Sequence, residues 1–129
     1  MRKKLTGEEK SRLAKRFTDS TEAYQLYLRG RHHWIRRTPD HLKKGVEYFR
    51  SAAEKGVIVA QNRLARCYAQ GAGVEVDALE AAKWHLIAKA GGLADDNLDK
   101  VLAKLSKADR LKAQQSAEAW RERAQVGIE

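Results

Sequence analysis

The sequence predicts an all-α protein, an α-solenoid of antiparallel helix hairpins with about six helices and no sheet. Three observations predict this fold. The stretches "GVEYFRSAAEKG" (45–56) and "AAKWHLIAKAGG" (81–92) repeat small, aromatic and glycine residues at a spacing of 36. Residues typical of helix starts and ends punctuate the chain at short intervals. Apolar residues recur every three or four positions, and the alternation typical of strands is almost absent.

The N-terminal third is predicted to hold two helices. Thr6 and Glu9 have the spacing of a capping box, and a short first helix follows. A second helix is expected to start at Asp19 or Ser20. The first helix places Leu13, Ala14 and Phe17 on one side. The second helix carries two apolar stripes. One consists of Ala23, Leu26, Gly30 and Trp34, and the other consists of Tyr24, Tyr27, Leu28 and Ile35. Two apolar stripes indicate a helix packed between neighbours.

The remaining helices follow in order. Thr38 caps a helix with Pro39 in its first turn, and Gly56 ends that helix. "IVAQNRLARCYAQG" and "DALEAAKWHLIAKAGG" predict a second hairpin, whose second helix starts from Asp77. "ADDNLDKVLAKL" and "SKADRLKAQQSAEAWRERA" predict two more helices. Asp95 and Asp96 stand at a helix start, where carboxylates complement the helix dipole, so capping explains them.

The 36-residue echo is interpreted as a packing pattern. It pairs Gly45 with Ala81, Tyr48 with Trp84, Phe49 with His85, Ala52 with Ala88, and Gly56 with Gly92. Small residues allow helices to approach closely, and aromatic residues fill the gaps between hairpins. We therefore expect Phe49, Ala52, Ala81 and Ala88 to be buried between hairpins.

Composition limits the class of protein. A chain of 129 residues fits one domain, and its 43% hydrophobic residues are ordinary for a folded helical protein. The net charge of +9 is concentrated in residues 1–57, which hold 15 Lys and Arg against 7 Asp and Glu. Such asymmetry is compatible with an acidic partner or with a merely solvated basic surface. A lone cysteine and the lack of an apolar signal or membrane segment predict a cytoplasmic location.

Two families of helical repeats resemble parts of the chain. Residues 58–92 are similar to a Sel1-like repeat, with the matching positions Ala60, Leu64, Ala65, Tyr68, Gly71, Gly73, Val74, Asp77, Ala81, Ala82, Trp84 and Ala88. Residues 20–57 resemble a tetratricopeptide repeat of bacterial signalling proteins, through Gly30, Gly45, Phe49 and Ala52. The resemblance divides a single domain into four parts. Residues 1–19 form a basic segment with a short helix, residues 20–57 and 58–92 form the two repeats, and residues 93–129 form a half-repeat with a capping helix. A natural protein and a recombined or engineered chimera are both open interpretations.

Catalytic and metal-binding patterns are weak. Cys67 lies inside a helix without a histidine at a defined offset, so a packed thiol is the better interpretation. His32 and His33 are adjacent, whereas metal-binding pairs on a helix are three or four residues apart. His41 and His85 have no nearby Cys or His in the sequence. The sequence therefore predicts no enzyme, no catalytic residue, no metal and no cofactor.

Binding is the better-supported class of function. The resemblance implies that the first helix of each hairpin lines a concave groove for a peptide or protein partner. It assigns to this groove Tyr27, Arg31, Trp34, Asn62, Arg66 and Gln70. The two arginines suit carboxylates, so an acidic peptide is the implied ligand. Two alternatives stay open: exposed residues with no ligand at all, and nucleic-acid binding through Arg29, Arg31, Trp34, Arg36 and Arg37.

Overall fold

A computed structural model of the chain describes residues 6–128, apart from the side chains of 16–18 and 125–128. It contains the helices α1 (Gly7–Trp34), α2 (Pro39–Glu54), α3 (Ile58–Gln70), α4 (Ala78–Ala90), α5 (Asp96–Lys104) and α6 (Lys107–Ile128). No strand occurs in the described part of the chain. The predicted all-α fold is confirmed. The basic residues before position 6 and the predicted apolar side chain of Phe17 lie outside the described residues.

The N-terminal region differs from the sequence expectation, because α1 is one continuous helix of 28 residues rather than two helices. Asp19 and Ser20 permit a helix start, but a capping residue does not force one. Neither proline nor glycine interrupts residues 8–29, so nothing breaks the helix there. Thr6 caps it as predicted, since its hydroxyl accepts the Glu9 amide at 3.1 Å.

The other helix starts are stabilised by side chains that accept free backbone amides. Thr38 accepts the amide of His41 at 3.3 Å, with Pro39 at the first helical position, and Asp77 accepts that of Glu80 at 3.1 Å. Ser106 accepts the amide of Asp109 at the start of α6. Each such cap contributes about 1 kcal/mol. The predicted punctuation of α2 and α4 is confirmed.

The helices stack as consecutive hairpins. Helix α2 packs on both α1 and α3, and α4 packs on α3, α5 and α6. The α6 side chain Trp120 lies edge-to-face on Trp84, with ring centroids 5.6 Å apart, and its indole N–H donates to Glu54 of α2 at 2.9 Å. Helix α6 therefore closes the end of the array across the second helices of both hairpins.

The core follows the 36-residue echo. Phe49 is 2% exposed, and Ala52, Ala81 and Ala88 are fully buried, as predicted. Trp84 and His85, the counterparts of Tyr48 and Phe49, are also buried. In the part of the chain that the structure describes, no helix has the length and apolar character needed to cross a membrane.

Candidate partner-binding surface

The six residues predicted for the groove divide by exposure. Arg31 and Gln70 are exposed, Trp34 and Arg66 are partly buried, and Tyr27 and Asn62 are buried. Tyr27 is 5% exposed, and its ring stacks on Phe49 with centroids 5.9 Å apart. Tyr27 is therefore a core residue, with almost no surface left for the ligand contact that the sequence suggested.

Trp34 is engaged on both sides. The guanidinium of Arg37 lies 4.2 Å from the centre of its ring, a cation–π contact. Its indole lies beside the thiol of Cys67 on α3. Cys67 is 2% exposed, and burial raises the pKa of its thiol to about 11. A thiol of that pKa stays protonated at neutral pH, in agreement with a packed rather than a reactive cysteine.

A polar cluster joins α3 to the start of α5. Asp95 Oδ2 accepts hydrogen bonds from Asn62 Nδ2 at 3.0 Å and from Arg66 Nε at 2.7 Å. Its Oδ1 accepts the backbone amides of Asn97 and Leu98 at the N-terminus of α5. Asp95 thus caps α5 and also holds that helix on α3.

The charge on Asp95 is stabilised by these bonds. Burial alone would raise its pKa, but the hydrogen bonds from Asn62, Arg66 and the Leu98 amide outweigh burial and lower the pKa to about 2. The sequence indicated the capping role of Asp95 and missed its contact with Asn62 and Arg66. The two sides of this contact lie 33 and 29 residues apart, and no local spacing signals it.

A pair of histidines joins the two helices of the first hairpin. Nδ1 of His33 and Nδ1 of His41 are 3.0 Å apart, although no Cys or His near His41 in the sequence predicted a partner for it. The ring centroids are 5.2 Å apart, so the rings meet edge to edge with these nitrogens foremost. One ring donates its proton to the other, which requires that at least one of them is neutral. Tyr48 stacks on His33 in parallel, with centroids 5.6 Å apart.

The second hairpin holds its histidine differently. His85 is fully buried, and its Nε2 lies 2.7 Å from Oδ1 of Asp99 on α5. Lys89 donates to the same oxygen at 3.2 Å. The hydrogen bonds from His85 and then Lys89 lower the pKa of Asp99. This histidine is a structural link between α4 and α5. No group of three or more His, Cys, Asp or Glu side chains that could hold a metal occurs among the described residues.

An apolar row lies exposed along α1 and includes Ile35, the C-cap residue directly after the helix. Tyr24, Leu28 and Ile35 are 50%, 42% and 63% exposed, and Leu13 at the N-terminal end of the helix is 47% exposed. Spacings of four, seven and eleven residues return to one face of a helix, so these residues and Arg31 share that face. We call Leu13, Tyr24, Leu28, Arg31 and Ile35 the α1 stripe. The sequence predicted that a stripe of Tyr24, Tyr27, Leu28 and Ile35 packs on a neighbour. This is right for Tyr27, which is buried, and wrong for the other three, which are exposed.

Comparison with known families explains the hairpins. The Sel1 repeat model matches residues 23–57 and 58–93, together more than half of the chain. The chain belongs to the Sel1 repeat family. Sel1 repeats are helical repeats similar to tetratricopeptide repeats, and they generally serve as non-catalytic scaffolds for protein–protein interaction. The same model matches the first repeat, where the sequence indicated a tetratricopeptide repeat. No curated protein matches the chain.

The two Sel1 matches also align the first helices with each other. They begin at residues 23 and 58, so Arg31 and Arg66 occupy the same position, as do Tyr27 and Asn62. The helix that follows each repeat begins differently, with Val57 as the N-cap of α3 and Asp95 as the N-cap of α5. Val57 makes no side-chain cap and has no carboxylate to offer Arg31.

Proposed function

We propose that this Sel1 repeat chain is a non-catalytic scaffold that binds an acidic peptide or protein segment in the groove formed by α1 and α3. Arg31 is the main anchor for the ligand, and Arg66 and Gln70 on the neighbouring helix α3 provide further polar contacts. Tyr27 and Asn62 support the fold of this surface rather than contact the ligand, since both are buried. Trp34 is only partly buried and is the apolar member of this surface.

The contact between Arg66 and Asp95 carries the proposal. At the same repeat position as Arg31, it joins an arginine to a carboxylate at 2.7 Å. Arg31 is exposed and forms no ion pair with any described residue. The repeat therefore has an arginine position that binds a carboxylate of the chain in one case and is free for a carboxylate of a partner in the other.

The surrounding charge favours the same ligand. Residues 23–39 contain four arginines and no Asp or Glu. Such a field attracts acidic segments and increases their association rate. Nucleic-acid binding is less well supported by this region, because Arg37 covers one face of Trp34, and a free aromatic face is what stacks on a base.

The test is a selection of peptides from a random displayed library, followed by titration of the selected peptides by fluorescence anisotropy. We expect Asp and Glu to be enriched among the binders. Arg31→Ala is expected to weaken the best peptide by about 1.5–3 kcal/mol, because a charge-assisted hydrogen bond is lost. Arg31→Lys keeps the charge but loses the planar fork, so it should recover only part of the affinity.

Arg29→Ala is the matched control, because Arg29 is exposed on the same helix and has the same charge but points away from the α1 stripe. It should change the affinity by less than about 0.5 kcal/mol, as an exposed charge at a distance does. Binders without acidic residues, or equal losses for Arg29→Ala and Arg31→Ala, would contradict the proposal.

A further inference from the structure

The α1 stripe extends beyond the Sel1 repeat. Helix α1 begins at Gly7, whereas the family match begins at residue 23, so residues 7–22 are helix that the repeat does not require. Helix α2 has 16 residues and α1 has 28. Leu13 lies on this additional segment, in line with the apolar residues of the repeat itself. The stripe is thus a feature of this chain that the packing of its hairpins does not explain.

The stripe is separate from the face that α1 turns to its own hairpin. That face holds Tyr27, which stacks on Phe49, and Gly30, where a Cβ would approach the Phe49 ring to 2.7 Å. The neighbouring positions Leu28 and Arg31 point to solvent instead. Exposed apolar residues that are scattered need no explanation, but an aligned row marks an interaction surface.

The spacing of the stripe fits a helical occupant. Tyr24, Leu28, Arg31 and Ile35 follow each other at intervals of four, three and four residues, which is the seam of a coiled coil. The seam from Tyr24 to Ile35 is about 16 Å long, or three helical turns. A helix with its own apolar row can lay three turns along it, whereas an extended peptide alternates its side chains and matches such a row poorly.

The positive charge around the stripe determines which kind of helix can bind there. A second copy of this chain would place its residues 23–39, which contain four arginines and no Asp or Glu, against the same basic segment, and like charges repel. A helix with glutamate or aspartate beside its apolar row would place a carboxylate on Arg31 instead. We infer that the α1 stripe is the docking surface for an amphipathic helix of a partner protein that carries acidic residues along its apolar face. The role of Arg31 in this inference rests on the proposed function, while the apolar contacts and the helical form of the ligand do not.

Three synthetic peptides of three heptads (about 21 residues) test this inference. The first has leucine in the seam positions and glutamate beside them. The second has the same composition in scrambled order, so that the leucines do not share a face. The third has lysine in place of each glutamate. We expect the first peptide to bind and to gain helicity by circular dichroism. Each of the other two should bind at least about tenfold more weakly, which is the effect of losing one well-buried apolar contact or charge pair.

Variants of the chain locate the contact. Leu28→Gln should weaken the first peptide by about tenfold, because it removes an apolar side chain from the seam. Leu111→Gln is the matched control, since Leu111 is 54% exposed on α6, away from the stripe, and this variant should bind as the parent chain does. Circular dichroism and melting of both variants check that the fold is kept.

The outcomes separate this inference from the proposed function. If the scrambled acidic peptide binds equally well and its binding depends on Arg31 but not on Leu28, the docking of a helix is wrong and the acidic ligand stands. If the first peptide depends on Leu28 but not on Arg31, the helix surface stands and the arginine anchor is wrong. If sedimentation shows self-association that Leu28→Gln abolishes, the stripe binds a second copy of the chain and the inference is wrong. If the lysine peptide binds as tightly as the first peptide, the preference for acidic residues is wrong.

Discussion

The two Sel1 repeats have the same pair of helices but use the first helix of each pair differently. In the second repeat, Asn62 and Arg66 bind the carboxylate of Asp95, and α5 is held against α3. In the first repeat, Val57 stands at the start of the next helix, Tyr27 is buried in the core, and Arg31 is left exposed. The same surface of the repeat is therefore closed by a carboxylate of the chain in the second repeat and left open in the first, and the residue at the start of the following helix differs between the two.

The helix crossings differ as well. In the first hairpin, Gly30 and Gly45 approach so closely that a Cβ on either would lie 3.0 Å from the carbonyl oxygen of the other. In the second repeat, Ala65 and Ala81 occupy the matching positions. Phe49 packs on Gly30 in the first hairpin, where the second has the smaller ring of His85. The larger ring is accommodated because the crossing helix carries no side chain at that point.

The turns inside the two hairpins also differ, and the largest effect of a substitution is expected there. The first turn has Arg37 at φ 59, and the second has Gly71 and Gly73 at φ 73 and 76. Gly73→Ala would place a Cβ 2.4 Å from the carbonyl oxygen of Leu42 on α2. The left-handed backbone and the displaced main chain should together lower the free energy of unfolding by about 2–5 kcal/mol. Urea denaturation followed by circular dichroism measures this loss.

Gly56→Ala is the control for that experiment. Gly56 has φ 94, and nothing lies within 4 Å of a Cβ placed there. It carries the cost of the left-handed backbone alone, about 1–2 kcal/mol. Equal losses for the two variants would show that the turn of the second repeat does not press on the first.

Local signals in the sequence were enough for most of the fold. Caps such as Thr38 and Asp77 act within three residues, and the echo from Gly45 to Gly92 repeats a packing pattern, so both are visible in a single sequence. The predicted division of α1 into two helices was wrong, because Asp19 and Ser20 lie on the exposed surface of one continuous helix instead of capping a new one. Local spacing does not show which residues of two different helices come into contact. For that reason the sequence did not predict the contact of Asp95 with Arg66 or that of His33 with His41.

Removal of the Asp95 carboxylate tests the internal contact of the second repeat. Asp95→Ala leaves the buried amide of Asn62 without its acceptor and removes the cap of α5. The loss should be about 2–3 kcal/mol, to which the half-exposed Arg66 adds little. Asp96→Ala, at the exposed neighbouring position, should cost less than about 0.5 kcal/mol. Thermal melting of both variants measures the difference, and similar melting temperatures would mean that Asp95 does not hold α5 on α3.

The smallest expected effect is a difference between the repeats in their response to acid. Burial lowers the pKa of His33, and the positive charges of His41, His32, Lys44 and Arg36 lower it further. A histidine whose pKa is lower in the folded chain contributes full stability above its unfolded value of about 6.5, and that stability is lost as the pH falls below it. Asp95 and Asp99 are carboxylates with lowered pKa values, so their contribution persists until the pH falls below about 3.8.

The hairpin of the first repeat should therefore loosen on mild acidification while the second repeat is unaffected. Protonation of His33 places a positive charge beside Lys44 and Arg36 and next to the ring of His41, and the contact between α1 and α2 weakens at the end that also carries Arg31. Amide hydrogen exchange measured at pH 7 and pH 5 should show faster exchange at the C-terminal end of α1 and the N-terminal end of α2, with little change in α3 and α4 beyond the intrinsic effect of pH. His41→Gln removes the ring that faces His33 across the hairpin, so the added exchange at pH 5 should shrink in this variant. An equal response of both repeats, or the same response in His41→Gln, would show that the histidine pair does not control the hairpin.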